Sequence, residues 1–280
     1  MTVSSLMPLW FERLACMGLL KPGSSMIEFG PQDCDTPRAV MKSIACRLFD
    51  RDEAERRICQ MYDGLQFRSD GQAALYGLFG ITGYKSLDPF DPRGDYKYDL
   101  GSEVPDIGKF DVVTNFGTSE HVFNIANVFK TAYDLLPVGG IMLNALPAFG
   151  DINHGFYNIH PVAYFLLAKH SGFEIVDFQY VDDITAKTEL AKRIDGPCDF
   201  DAFLPIQFRN MTSEAQLRSE IYDRFVINAT YPSRARLWLG GMAPSVFDYC
   251  FVALRRISDE PFQMPYQYTD KPLSKAFNQQ

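Results

Sequence analysis

The sequence predicts an α/β fold in which a mostly parallel sheet carries helices on both faces. Short apolar runs alternate with segments of helical periodicity through the middle of the chain, which is typical of such folds. The continuous apolar run at 109–117 is typical of a buried parallel strand. Residues 122–136 place apolar side chains on one helical face before Pro137 and a Gly-Gly pair. At 280 residues, the chain is long enough for one large domain.

We expect a sheet of seven strands, each an apolar or β-branched run that ends at turn residues. In chain order the predicted strands are 25–30, 84–90, 96–100, 109–117, 140–149, 173–181 and 245–257.

Helices are expected between these strands. The N-terminal segment has apolar residues at helical spacing, and the stretch 36–80 is long, polar and helical in pattern. The helix at 160–172 has Pro161 in its first turn and Gly172 as its stop signal.

A single domain is expected to span residues 1–280. Its predicted parts are an N-terminal helix at 1–23, a core at 24–184, an insertion or lid at 185–244, the last strand at 245–257 and a tail at 258–280.

Composition excludes several classes of partner. The net charge of −8, from 27 basic and 35 acidic residues, argues against nucleic-acid binding, which needs a basic face. The N-terminus lacks a basic leader, and no apolar stretch is long enough to span a membrane. None of the six cysteines forms a CxxC pair, which favours reduced thiols in a cytoplasmic protein without structural zinc.

Candidate binding residues follow the strands, because open parallel sheets bind ligands outside the carboxyl ends of their strands. Glu28 and Gly30 end the first predicted strand, Asp88 ends the second, and Asp99 ends the third. The fourth strand ends in TNFGTSEH, and a helix then leads to LLPVGGIML. In this order the segments resemble the class I, Rossmann-like S-adenosylmethionine-dependent methyltransferases. The resemblance covers roughly residues 20–181 and the last strand.

The resemblance implies S-adenosylmethionine as the cofactor and a set of residues that contact it. Gly30 would let the backbone approach the methionine part, where a Cβ would clash. Asp88 would accept hydrogen bonds from the ribose hydroxyls, and Glu28 would help to hold the ammonium and carboxylate groups. The implied set is Glu28, Gly30, Gln32, Asp88, Asp99, Leu100, Asn115, Phe116 and Gly117. A cap on a helix N-terminus is the alternative role for Glu28 and for Asp88.

The first loop departs from the family, whose members usually have two or three glycines there. Here Gly30 is followed by Pro31, which removes an amide donor, so Gln32 or another backbone path would contact the cofactor. A non-catalytic relative therefore stays open. An NAD-dependent dehydrogenase does not fit, because its pyrophosphate site needs a full G-x-G-x-x-G turn.

Three of the four histidines follow the fourth and fifth strands, where an acceptor substrate would meet the methyl group. His154 is the first candidate for a general base and His121 the second, while Tyr157 could orient the acceptor. For His121 a helix-capping role is an equal alternative, and for His160 it is the favoured one.

No metal site is predicted from the sequence. A set of Asp111, Glu120, His121 and Asp151 was the alternative, but Asp111 lies at the start of its strand, on the opposite side of the sheet.

The sequence thus predicts a methyltransferase that acts on a small molecule, with O-methylation as the expected reaction. Histidines suit a hydroxyl acceptor, and the signature of amide or nucleobase N-methyltransferases is missing. N-methylation of a small molecule or peptide and a non-catalytic interaction protein are the alternatives. The expected partner is the small-molecule acceptor, without nucleic acid or membrane, and assembly into a homodimer stays open.

Overall fold

The computed structural model describes residues 2–3, 6–63, 67–150, 154–182, 208–210 and 247–266. The strands are β1 (Thr2–Val3), β2 (Ser24–Phe29), β3 (Asp33–Cys34), β4 (Ile81–Leu87), β5 (Val112–Phe116), β6 (Ile141–Gly150), β7 (Phe173–Asp182), β8 (Phe208–Asn210) and β9 (Phe247–Arg256). The helices are α1 (Leu6–Cys16), α2 (Arg38–Leu48), α3 (Arg51–Asp63), α4 (Phe67–Asp70), α5 (Gln72–Gly77), α6 (Ile125–Leu135) and α7 (Val162–His170), with a 3₁₀ turn at Ser119–His121.

The central sheet has the strand order β4-β2-β5-β6-β9-β7-β8, and β1 pairs separately with β3. Strands β4, β2, β5 and β6 are parallel neighbours. Strand β9 runs antiparallel between β6 and β7, and the short β8 pairs antiparallel with β7 at the edge. After β2 the chain adds β4 on one side and β5 on the other, so the order reverses beside β2. Such a reversal opens a crevice at the carboxyl ends of the strands.

Helices cover both faces of the sheet, which confirms the predicted α/β architecture. Successive residues of a strand point to opposite faces, so Met26 joins one core and Ile27 joins the other. The first core includes Trp10 from α1 and residues of α2, α3 and α5. The second core includes Val128 from α6 and Tyr164 from α7. In the part of the chain that the structure describes, no helix is long and apolar enough to cross a bilayer.

One predicted strand is wrong. Within 96–100, only Tyr96 pairs with the sheet, through an isolated bridge to Leu87. The side chain of Asp95 accepts hydrogen bonds from the backbone nitrogen of Ser86, at 2.9 Å, and from Lys85, at 2.8 Å. Backbone hydrogen bonds join Tyr96 to Ser86 and Asp88, both at 3.0 Å, but residues 97–99 are exposed, so the pairing does not continue as a strand. The other six predicted strands form, and the seventh strand of the sheet is the three-residue β8.

Two predicted boundaries also shift. Strand β4 runs over Ile81–Leu87 rather than 84–90, so Asp88 is the first residue after it. The helix expected from 122 begins at Ile125, because Ser119–His121 forms a separate 3₁₀ turn. The predicted insertion at 185–244 lies outside the described residues apart from β8.

Candidate functional site

An open cleft of about 910 Å³ lies at the carboxyl ends of the parallel strands, where the strand order reverses. Its walls come from the loops that follow β2, β4 and β5, with His154 from the segment after β6. The residues lining it include Gly30, Gln32, Asp88, Asp99, Leu100, Gly117, His121 and His154, all of which were candidates from the sequence.

Gly30 brings the loop after β2 close to the loops of its neighbours. Its φ is +73°, which favours glycine. A Cβ at this position would lie 3.1 Å from Thr118 Oγ1 and 3.6 Å from Asp88 Oδ2. A side chain here would therefore be strained and would also occupy the space between the two strand ends. The cleft exists at this point because residue 30 lacks a Cβ.

Gln32 is a lining residue of the cleft, and its side-chain amide holds the loop after β2. Its side chain is only 3% exposed, and its Nε2 donates to the carbonyl of Gly30 at 3.0 Å. Its Oε1 is buried and accepts no hydrogen bond from the described residues. Because a buried acceptor without a donor is costly, this oxygen is suited to a donor group on a ligand.

The two carboxylate oxygens of Asp88 have different surroundings: one accepts backbone hydrogen bonds, and the other lies at the cleft. Oδ1 accepts hydrogen bonds from the backbone nitrogens of Phe90 and Asp91, both at 2.7 Å. Oδ2 accepts none from the described part of the chain and lies near Gly30. The turn after β4 thus fixes the side chain and leaves one oxygen for a ligand.

Asp99 and Leu100 form the next part of the wall. Asp99 Oδ1 accepts a hydrogen bond from the nitrogen of Gly101 at 2.7 Å. Leu100 is buried, and its carbonyl oxygen accepts a hydrogen bond from Asn127 Nδ2 at 2.8 Å. The wall is therefore anchored to α6, although this segment is not a strand.

Arg93 was not identified from the sequence, yet it links two walls of the cleft. Its guanidinium lies 2.8 Å from Asp33 Oδ1 and 2.7 Å from Asp91 Oδ2, and it donates to the carbonyl of Pro31 at 3.0 Å. The hydrogen bond with Asp91 is the main reason that the pKa of Arg93 rises, although burial opposes it. Arg93 and Asp33 lie 60 residues apart along the chain, so no local pattern could indicate this link between the walls.

Glu28 lies behind the cleft rather than on its wall. Its carboxylate is buried and accepts hydrogen bonds from Tyr76 Oη at 2.5 Å, Tyr84 Oη at 2.6 Å and the nitrogen of Gln32 at 3.1 Å. Burial raises the pKa of Glu28, and these hydrogen bonds only partly offset that effect. Through Gln32, the carboxylate fixes the loop that borders the cleft.

Three further candidates from the sequence also lie off the wall. Asn115 is buried. Its Nδ2 donates to Asn144 Oδ1 and to Ser119 Oγ, and its Oδ1 accepts from the backbone nitrogen of Ser119, all at 3.1 Å. Phe116 belongs to the core, where its ring lies 6.4 Å from that of Trp10. Tyr157 donates from its hydroxyl to the carbonyl of Phe123 at 2.9 Å. In the structure, Asn115 positions the start of the 3₁₀ turn that follows β5.

At the far end of the cleft, three side chains with ligating atoms converge. One ligating atom from each of Glu120, His121 and His154 lies within 4.8 Å of the other two. The two imidazole rings are 4.7 Å apart and inclined by 60°. Asp111 is not part of this group, because its carboxylate binds the backbone of Ser25 at the opposite end of the sheet.

Asp151 and His160 are two further residues that were singled out from the sequence. Asp151 lies outside the described residues. His160 Nδ1 accepts a hydrogen bond from the nitrogen of Val162 at 3.2 Å, which is the capping role favoured for it.

Exposed aromatic rings border the same end of the cleft. Phe123 is 76% exposed and Phe156 is 64% exposed, and their rings meet edge to face at 5.6 Å. Phe90, across the cleft, is 92% exposed. Single exposed apolar residues are ordinary, but rings grouped at the mouth of a cleft are suited to the apolar part of a ligand.

No protein-family model matches the sequence, and no curated protein matches it either. Several solved structures are similar to the chain. A putative methyltransferase from Bacillus halodurans shares 10% identity at a TM-score of 0.43, over 89% of this chain and 99% of that one. A putative sarcosine dimethylglycine methyltransferase from Galdieria sulphuraria shares 14% identity at a TM-score of 0.39, over 91% of this chain and 86% of that one. An O-methyltransferase from a polyketide synthase of Brevibacillus brevis, in complex with S-adenosylhomocysteine, shares 14% identity at a TM-score of 0.37. The match covers 89% of this chain and 71% of that one.

Proposed function

We propose that this protein is an S-adenosylmethionine-dependent methyltransferase that binds its cofactor in the cleft and methylates a hydroxyl group of a small molecule. The observation that carries the proposal is the cradle around Gly30, into which a Cβ would project. Asp88 Oδ2 borders it, 3.6 Å from the position of that Cβ, and Gln32 Oε1 belongs to the loop that Gly30 begins. Neither oxygen accepts a hydrogen bond from the described residues.

These atoms fit the donor groups of the proposed cofactor. Gln32 Oε1 would accept a hydrogen bond from its ammonium group, and Asp88 Oδ2 would accept from its ribose hydroxyls. Leu100 and Asp99, farther along the wall, would contact the adenine. Glu28, by contrast, supports the loop from behind, where its carboxylate binds Gln32 rather than a ligand.

Bound in this way, the cofactor would supply a methyl group on a positively charged sulfur atom. His121 and His154 line the same cleft, so they would hold the acceptor hydroxyl and promote loss of its proton. The exposed rings of Phe123 and Phe156 would cover the apolar part of the acceptor. These aromatic rings and the acidic net charge support a small organic acceptor rather than a nucleic acid.

Calorimetric titration tests the cofactor directly. Purified protein is titrated with S-adenosylmethionine, S-adenosylhomocysteine and, as the control nucleotide, NAD. Saturable binding of the first two with one ligand per chain, and no binding of NAD, is the expected result. Absence of binding by both sulfur compounds would contradict the proposal and favour a non-catalytic interaction protein.

Acceptor screening then separates the reaction types. Metabolite extracts incubated with protein and cofactor are searched for products that gain one methyl group. A methyl ether supports the proposed reaction, whereas a methylated amine would replace it with N-methylation.

A further inference from the structure

We propose that Glu120, His121 and His154 form a binding site for a divalent transition-metal cation at the acceptor end of the cleft. The sequence alone predicted no metal site in this protein. Its mechanistic part, activation of the acceptor, rests on the proposed function, but binding of the cation does not.

The geometry of the three side chains is close to that of a metal site. Ligand atoms that lie about 2.1 Å from one ion are separated from one another by about 3.0–4.2 Å. The ligating atoms of this group lie within 4.8 Å of one another. Both imidazoles are exposed, so rotations that move their nitrogens by about 1 Å would complete the site.

The backbone around the three residues holds the two loops together. The carbonyl oxygen of Glu120 accepts hydrogen bonds from the nitrogens of Phe156, at 2.7 Å, and Tyr157, at 3.3 Å. A Cβ on Gly155 would lie 2.8 Å from that oxygen and 3.1 Å from Glu120 Cγ. A side chain at residue 155 would therefore separate His154 from Glu120. The glycine allows the contact that brings the third ligand into place.

The types of ligand select the class of cation. Two imidazoles and one carboxylate suit Zn²⁺, Mn²⁺, Fe²⁺ or Co²⁺, whereas Mg²⁺ and Ca²⁺ prefer oxygen ligands throughout. Glu120 is fully buried, and a cation there would compensate the charge of its carboxylate. Three protein ligands leave coordination positions open toward the cleft, where a hydroxyl group of the acceptor could bind.

The chemical consequence follows from the proposed reaction. A cation in this site would act as a Lewis acid and would make a coordinated hydroxyl group more acidic. The proton of the acceptor would pass to solvent, its oxygen would form the bond to the methyl group, and the bond from methyl to sulfur would break. The products would be a methyl ether and S-adenosylhomocysteine, so atoms and charges balance.

The test measures metal binding by itself. Chelator-treated protein of residues 1–280 is titrated separately with Co²⁺, Mn²⁺ and Zn²⁺. The heat of binding is recorded for each ion, and the visible absorption of the bound ion is recorded for Co²⁺. The wild type is expected to bind one Co²⁺ per chain, and His154→Ala to bind it more than about 100-fold more weakly. His160→Asn is the matched control, because His160 lies outside the group and an asparagine can keep its capping role.

Two outcomes would overturn the proposal: wild-type protein that binds none of Co²⁺, Mn²⁺ and Zn²⁺, or a His154→Ala variant that binds like the wild type. His121→Ala provides a second exposed position, so a folding defect in one variant does not decide the result. The two proposals fail separately. Binding of S-adenosylhomocysteine without any metal would remove only the metal site, and metal binding without S-adenosylhomocysteine would remove the methyltransferase function.

Discussion

Two fully buried glutamates lie near the carboxyl ends of neighbouring strands, and their surroundings differ. Glu28, in β2, accepts hydrogen bonds from two tyrosine hydroxyls and one backbone nitrogen. Glu120, in the turn after β5, lies beside two exposed imidazoles at the cleft. Neutral donors from the chain itself surround the first carboxylate, whereas groups that can ligate a cation surround the second. Burial of a carboxylate therefore does not identify a binding site, but the chemistry of its neighbours does.

Asp88 is intermediate between the two glutamates. One of its oxygens is used by the turn after β4, and the other remains for a ligand at the cleft. The three carboxylates thus form a series from structural to functional use. Each can be tested by a substitution that changes its charge or removes one partner.

The largest effect is expected at the histidines beside Glu120. His154→Ala should lower turnover by about two to four powers of ten, because the acceptor hydroxyl loses the group that assists its deprotonation. Affinity for S-adenosylhomocysteine, measured by calorimetry, should stay near the wild-type value, since the cradle at Gly30 is untouched. His160→Asn should keep normal turnover. Near-normal turnover of both His154→Ala and His121→Ala would mean that proximity alone supports the reaction.

A smaller effect is expected on the structural side of the comparison. Tyr76→Phe removes a donor from the buried carboxylate of Glu28 and should lower the free energy of unfolding by about 1.5–3 kcal/mol. Urea denaturation measures the change. Tyr98→Phe is the control, because Tyr98 is 37% exposed and makes no hydrogen bond with the described residues. Equal stability of the two variants would contradict the structural role given to Glu28.

Asp88→Asn separates the two uses of that carboxylate. The amide oxygen can still accept the hydrogen bonds of the turn, while the charge at the cleft is lost. Binding of S-adenosylhomocysteine should become weaker by about 1–3 kcal/mol of binding free energy, with the free energy of unfolding nearly unchanged. Asp106→Asn is the matched control, because Asp106 accepts a similar hydrogen bond from Gly108 but lies outside this cleft. An equal affinity in both variants would exclude Asp88 from the binding site.

The sequence was sufficient for the fold because the signals for it are local. Apolar runs and helix stops placed β2, β5, β6, β7 and β9, and they placed the strand ends on one side of the sheet. The segment at 96–100 was misread as a strand because its alternation of polar and aromatic residues resembles a strand pattern, although only Tyr96 pairs with the sheet and residues 97–99 are exposed.

The site was only partly predictable because its contacts join distant residues. The tyrosines that bind Glu28 lie 48 and 56 residues away, so no spacing could show that its carboxylate would be used internally. Glu120 and His121 were placed after β5 correctly, but their convergence with His154 depends on the contact that Gly155 allows. Arg93 was missed for the same reason, since its partners Pro31 and Asp33 lie about 60 residues earlier, in the segment after β2.

The smallest effect concerns the dependence of stability on pH, and it tests Glu28 alone. Burial raises the pKa of Glu28 above 4.5 in the folded protein, so between 4.5 and that raised pKa the folded state holds more protons than the unfolded state. The contribution of this group is therefore fully present below about pH 4.5 and is lost as the pH rises through the folded pKa. The loss cannot be steeper than about 1.4 kcal/mol per pH unit, the limit for one proton.

Glu28→Gln cannot titrate at this position, and its amide can still bond to both tyrosines. Its free energy of unfolding, measured in urea from pH 4.5 upward, should therefore fall less with pH than that of the wild type. Glu103→Gln, at an exposed position, should follow the wild-type curve. Parallel curves for Glu28→Gln and the wild type would mean that Glu28 binds its proton equally in the folded and unfolded states. The folded protein would then stabilise the charged carboxylate of Glu28 as well as water does. The difference between Glu28 and Glu120 would then be only in which groups surround each carboxylate.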